Sequence, residues 1–232
     1  MVAFTLTVSP VNDAPSFVPG GDVLRLEDAG PVTISGWASS LSAGPGETGQ
    51  TLQFVLTANG NPALFSSAPS VDSAGTLRFT PAPNANGTAV LVLVLRDSGG
   101  TADGGEDTSA PAIFTVTVQP VNDAPSFVPG ADVAVEADSR MYTAPWASGM
   151  SPGPADEAGQ TLWFQIVSND NPSLFAASPS LSPAGVLSFM PAPAAAGTAR
   201  LGVRLLSPIL PHKPGGLKGN TSRHGDAPGA AR

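Results

Sequence analysis

Hydrophobic and polar positions alternate along short stretches of this chain. Phe114, Val116 and Val118 alternate with Thr115 and Thr117, the period of two expected of a strand with one covered face. Val90–Leu95 is apolar without a break, the pattern of a central strand covered on both sides. With these, the runs Asp22–Leu26, Val32–Ser35, Thr51–Thr57, Thr76–Thr80, Thr88–Leu95 and Ile113–Val118 read as strands, each bounded by turn-forming residues. Six or seven such strands in about 110 residues suit an all-β, Greek-key sandwich. Trp37 is its natural large core filler, and Trp146 has the same surroundings further on.

Those surroundings recur because the chain is a tandem repeat. The ten residues VNDAPSFVPG at Val11–Gly20 return unchanged at Val121–Gly130. The same offset joins Gly49-Gln50-Thr51-Leu52 to Gly159-Gln160-Thr161-Leu162, and Pro81-Ala82-Pro83 to Pro191-Ala192-Pro193. Trp37 and Trp146 fall one residue short of that offset, which places a one-residue deletion in the second copy between Glu136 and Trp146. Backwards, Phe4-Thr5-Leu6-Thr7-Val8 matches Phe114-Thr115-Val116-Thr117-Val118. Residues 1–10 therefore read as the closing strand of a preceding repeat, 11–120 as a complete repeat, and 121–206 as a repeat without its closing strand. Its edge and the segment 4–8 are complementary, which leads us to expect head-to-tail self-association through residues 4–8.

Residues 207–232 differ in character. The first 206 residues hold 17 acidic residues and six Arg, a net of −11, whereas the last 26 carry four basic residues and Asp226, a net of +3. This tail reads as disordered, non-repeat sequence, such as an out-of-frame junction would give. Overall, 26 Gly and 25 Pro in 232 residues argue against long regular helices, while 41% hydrophobic residues supply enough for packed cores. A net charge of −8 repels phosphate backbones, so nucleic acid is excluded as a partner. No Cys is present to form disulfides or thiolate metal sites. No run reaches the length of a membrane span, and the first residues show neither the basic nor the apolar region of an export signal.

The stretch FTVTVQPVNDAPSF, Phe114 to Phe127, resembles the end of a cadherin-type domain, where a closing strand runs into an Asp-x-Asn-Asp-x-x-Pro linker. The acidic pair Glu27-Asp28, the Trp-Ala-Ser segment, Gly-Gln-Thr-Leu, Pro-Ala-Pro-Asn-Ala-Asn-Gly, Asp-Ser-Gly-Gly and VNDAP make the whole unit resemble the tandem cadherin-like and immunoglobulin-like repeats of large bacterial surface proteins and adhesins. That resemblance implies an extracellular or cell-surface location and calcium at repeat junctions. The implied ligands are Asn122 and Asp123 with Glu27 at one junction, and Asn12 and Asp13 with Asp97 at the other. A hard cation takes six to eight oxygens. Pro10 and Pro120 replace the first linker Asp, and Ala38-Ser39 and Ala147-Ser148 stand where the family has paired Asp. Neither junction has a complete set. Asn-Asp-Ala-Pro also forms a rigid turn with no metal, and Glu27-Asp28, like Asp103 to Asp107, read by themselves as solvated loop charges.

Nothing in the sequence points to catalysis. Both histidines lie in the tail, and no nucleophile elbow or phosphate loop occurs. Two functions remain: a structural spacer or adhesive stalk whose partners are the neighbouring repeats of its own array, and a carbohydrate- or ligand-binding accessory module of a secreted enzyme. Aromatic residues are only 6% and Trp163 is the sole candidate for a binding face, which favours the spacer.

Overall fold

The computed structural model describes residues 2–208; the tail expectation falls almost wholly outside them. Contacts divide the chain between Pro120 and Val121 into two units, and the described residues are all-β apart from short 3-10 turns.

The first unit carries nine strands: β1 (Ser16–Val18), β2 (Val23–Leu26), β3 (Val32–Ile34), β4 (Ser39–Ser42), β5 (Gln53–Asn59), β6 (Phe65–Val71), β7 (Leu77–Pro81), β8 (Gly87–Arg96) and β9 (Ala112–Gln119). One sheet has the order β2-β9-β8-β5, the other β3-β7-β6, and β1 pairs with β4. Among the described strands only β2 and β9 run parallel. The chain leaves the first sheet after β5, makes a hairpin of β6 and β7 in the second, and returns through β8, so the unit is a Greek-key sandwich. Leu77 and Phe79 from one sheet meet Leu91, Leu93, Phe114, Val116 and Val118 from the other in a single core. Trp37 packs on Phe114 at 4.4 Å between ring centroids and donates its indole N–H to the Gly21 carbonyl at 3.1 Å.

All six strands read from the pattern are present within two residues of their expected ends. Three more escaped it: β1 (Ser-Phe-Val) and β4 (Ser-Ser-Leu-Ser) are too short to show a period, and the Ser, Ala and Pro of β6 give it no alternation. Pro69 in β6 is tolerated because that strand lies at a sheet edge. β8 departs from expectation: Leu91, Leu93 and Leu95 are fully buried, but Val90 is 50% exposed. Its apolar run is covered on one face and only partly on the other.

A turn from Asp72 to Gly75 joins β6 to β7. The Asp72 carboxylate accepts from the backbone N–H groups of Thr76 and Ala74 at 2.9 and 3.0 Å, and the Thr76 bond leads in holding it below the usual carboxylate range. Gly75 has φ +78° and a Cβ there would collide with the Ala38 carbonyl, so only glycine serves.

The second unit repeats this plan with fewer strands: β10 (Ser126–Val128), β11 (Tyr142–Pro145), β12 (Ser148–Ser151), β13 (Trp163–Asn169), β14 (Phe175–Leu181), β15 (Val186–Pro191) and β16 (Leu201–Leu206). Its sheets are β11-β15-β14 and β13-β16, with β10 paired to β12. The pairs Ile34↔Leu77 and Ala144↔Leu187 hold the common offset up to Pro145. The deleted residue is thus the counterpart of Gly36, just before Trp146.

Among the described residues, this unit has no counterpart of β9, and three features that β9 supports in the first unit are reduced. Residues 133–136, the counterpart of β2, are not a strand. The counterpart of β8 is strand only over Leu201–Leu206, where it pairs with β13, whereas Gly87–Val90 gain their strand form from β9 alone. Trp146, without a ring equivalent to Phe114 among the described residues, rests on Phe127 at 6.4 Å and is less buried than Trp37.

Asn84 and Ala194 occupy equivalent turns, both at positive φ, +54° and +56°. Asn tolerates that conformation, whereas Ala carries a Cβ penalty of about 1 kcal/mol. Ala194→Asn is therefore expected to stabilise the second unit by about 0.5–1 kcal/mol, read as a rise in its thermal midpoint. An unchanged or lower midpoint would contradict this.

Candidate functional site

The linker residues that begin each repeat are fastened into one end of their own unit. In the first unit the hub is Asn12. Its side-chain N–H groups donate to Asp97 Oδ1 at 3.0 Å and to the Glu106 carbonyl at 2.7 Å, and its side-chain carbonyl accepts from Gln50 Nε2 at 2.7 Å. Its backbone carbonyl accepts from the Glu106 N–H at 3.0 Å. The neighbouring Asp13 N–H donates to Glu47 Oε1 at 3.0 Å. Two glycines make room: a Cβ on Gly99 would collide with the Asn12 carboxamide, and one on Gly105 would come within 2.9 Å of Asn12 Cβ.

These residues reach the hub from three loops. Glu47 and Gln50 precede β5, Asp97 follows β8, and Glu106 lies in the loop before β9. Asp97 is itself held in a tight turn, where its Oδ1 also accepts from the Gly99 N–H at 2.9 Å. The second acid oxygens, Glu47 Oε2 and Asp97 Oδ2, and the Gln50 carbonyl oxygen are buried with no hydrogen-bond partner in the protein. Such oxygens are costly unless a donor or a cation meets them.

The second unit builds the same clamp. Gln160 Nε2 donates to Asn122 Oδ1 at 2.9 Å, and the Asp123 N–H donates to Glu157 Oε1 at 2.7 Å. Ser207 stands where the first unit has Asp97, and Asn122 reaches its hydroxyl at 3.4 Å. The charged acceptor is thus exchanged for a weaker neutral one.

Of the residues singled out in the sequence, the structure brings Asn12, Asp13 and Asp97 into one cluster. Asn122 and Asp123 form the second cluster. Glu27 sits at the other end of the first unit, between β2 and β3, where its backbone N–H donates to the Gln119 carbonyl at 2.9 Å and its carboxylate accepts from Asn86 at 3.4 Å. It is only 1% exposed, which corrects its reading as a solvated loop charge. Asp28 is exposed and caps the turn at Asn84. Sequence reasoning missed Glu47, Gln50, Glu106, Glu157 and Gln160. Among the described residues, no three Asp, Glu or His side chains converge closely enough to form a ready metal cluster. Nor is any helix there long and apolar enough to cross a membrane.

No protein-family model matches the sequence, and no curated protein matches it. Among solved structures the chain is similar to mouse cadherin-23 EC22-24, with 15% identity and a TM-score of 0.44, over 89% of this chain and 62% of that one. It is similar to human protocadherin-24 EC1-2, with 14% identity and a TM-score of 0.41, over 84% and 86%. Against Drosophila N-cadherin EC1-4 the identity is 13% and the TM-score 0.35, and the chain spans 47% of that chain's length. The sandwich assignment rests on the sheet order above, not on these scores.

Proposed function

We propose that this chain is a non-enzymatic structural or adhesive segment of a large extracellular or cell-surface protein. Its units serve as spacer or stalk, and its partners are neighbouring repeats of the same array. The observation that supports this reading is the duplicated clamp. A linker that must hand over from one repeat to the next is fastened in both copies by an Asn–Gln pair and an Asp N–H to Glu bond. Fixing the entry of each repeat is useful in a one-dimensional array, where each repeat touches only its neighbours.

The alternative, a carbohydrate-binding accessory module, draws support from Trp163, which is 42% exposed on β13. A polysaccharide pull-down separates the two. A spacer passes through unretained, whereas specific retention that Trp163→Ala abolishes would replace the spacer reading with the module.

Calcium belongs to the same proposal. The buried oxygens of Glu47, Gln50 and Asp97 are the atoms of the first unit that fit a hard cation, and water or backbone oxygens would complete its shell. Asn12, whose carboxamide is engaged on both sides, acts in this reading as the frame that positions Asp97. A site with so few protein ligands is expected to be weak. At millimolar Kd and several millimolar calcium it stabilises by about 1 kcal/mol, a thermal shift of roughly 4–8 °C for a unit this size. Asp97→Ser, which installs the residue of the second repeat, is expected to remove the shift. A shift that survives Asp97→Ser would place the cation elsewhere.

A further inference from the structure

The second unit has a vacant sheet position among its described residues, and the chain carries a strand that fits it. We infer that Phe4–Val8 of one molecule completes the second unit of another copy, lying between β16 and residues 133–136 as β9 lies between β8 and β2.

The register comes from the first unit. There Phe114 faces Leu91, Val116 faces Ala89 and Val118 faces Gly87 on β8. The repeat offset turns these into Phe4 opposite Leu201, Leu6 opposite Ala199 and Val8 opposite Gly197. The three apolar side chains then point where Phe114, Val116 and Val118 are buried, and Thr5 and Thr7 take the outward places of Thr115 and Thr117. In the described structure Phe4, Leu6 and Val8 are 88, 82 and 87% exposed, and residues 2–9 belong to no strand. Large apolar side chains at alternate positions of an extended segment are the mark of a strand without its sheet.

The acceptor shows the matching deficit. Among the described residues β16 pairs with β13 alone, and residues 133–136 and 197–200 lack the strand form that their counterparts owe to β9. Residues 207–232 contain no run resembling Phe114–Val118; Pro208 and Pro211 bracket Ile209-Leu210. Because donor and acceptor are different surfaces, the contact is head-to-tail and generates open chains. The inference is independent of calcium and of the spacer reading.

The test is sedimentation velocity on the full 232-residue chain with hydrogen–deuterium exchange on the same samples. Raising the concentration is expected to at least double the weight-average mass and to protect residues 133–136 and 197–200. Leu6→Asp, an exposed position whose change leaves both cores intact, is expected to abolish both effects. A ten-residue peptide of positions 1–10, added to the Leu6→Asp chain, is expected to restore the protection without the growth in mass. A chain that stays monomeric overturns the inference. So does association that persists in Leu6→Asp, or one that leaves residues 133–136 and 197–200 unprotected.

Discussion

Phe114→Ala is expected to lower the stability of the first unit by about 3–5 kcal/mol, the usual cost of truncating a buried aromatic ring. Phe114 is almost fully buried in β9, and its ring is the one that Trp37 packs against. Truncation empties the contact at the centre of the core while leaving the ladders to β2 and β8 in place. For a domain whose net stability is about 5–15 kcal/mol this is a large share. Hydrogen exchange under increasing urea reads the two units separately and measures it. A loss below about 1 kcal/mol would show that the sandwich is held by its ladders and not by this ring contact.

Asn12→Ala is expected to be the most damaging change outside the core, at about 2–4 kcal/mol. It removes the donors to Asp97 and Glu106 and the acceptor for Gln50 together, and a part-buried carboxylate stripped of a partner costs more than one hydrogen bond is worth. Asn122→Ala in the second unit should cost about 1–2 kcal/mol, because Ser207 is neutral and its bond is longer. Equal losses at the two positions would mean that Asp97 adds nothing to the clamp. The same exchange and urea measurement distinguishes them.

Much of the fold was legible because the chain is written almost twice. Strands with strict alternation, such as Phe114–Val118, could be placed from one copy, and the repeat phase related the two copies to each other. β1 and β4 were not legible because three or four residues show no period, and β6 because Ser, Ala and Pro fill its middle; all three are set by pairing instead of by side-chain pattern. Half of the clamp could be read: Asn12 and Asp97 were grouped, and they lie 3.0 Å apart. Glu47 and Gln50 were missed, since a loop has no periodicity to betray which side chain turns inward. A signal did exist. Glu stands three residues before Gln in both copies, Glu47–Gln50 and Glu157–Gln160, although the residues just before each Glu differ. Glu27 was misread because charge alone suggests solvent, and only the fold shows that it is enclosed.

The parallel pairing of β2 with β9 joins segments 93 residues apart, as at Asp22 and Thr115. Contacts so distant in sequence form late, because their loop must close first. During synthesis, β2 of a repeat would leave the ribosome almost a whole repeat before its partner, and would wait unpaired until then. Each repeat would therefore mature only as the next one begins to emerge, giving a long protein of this type a folding front that follows translation at a lag of one domain.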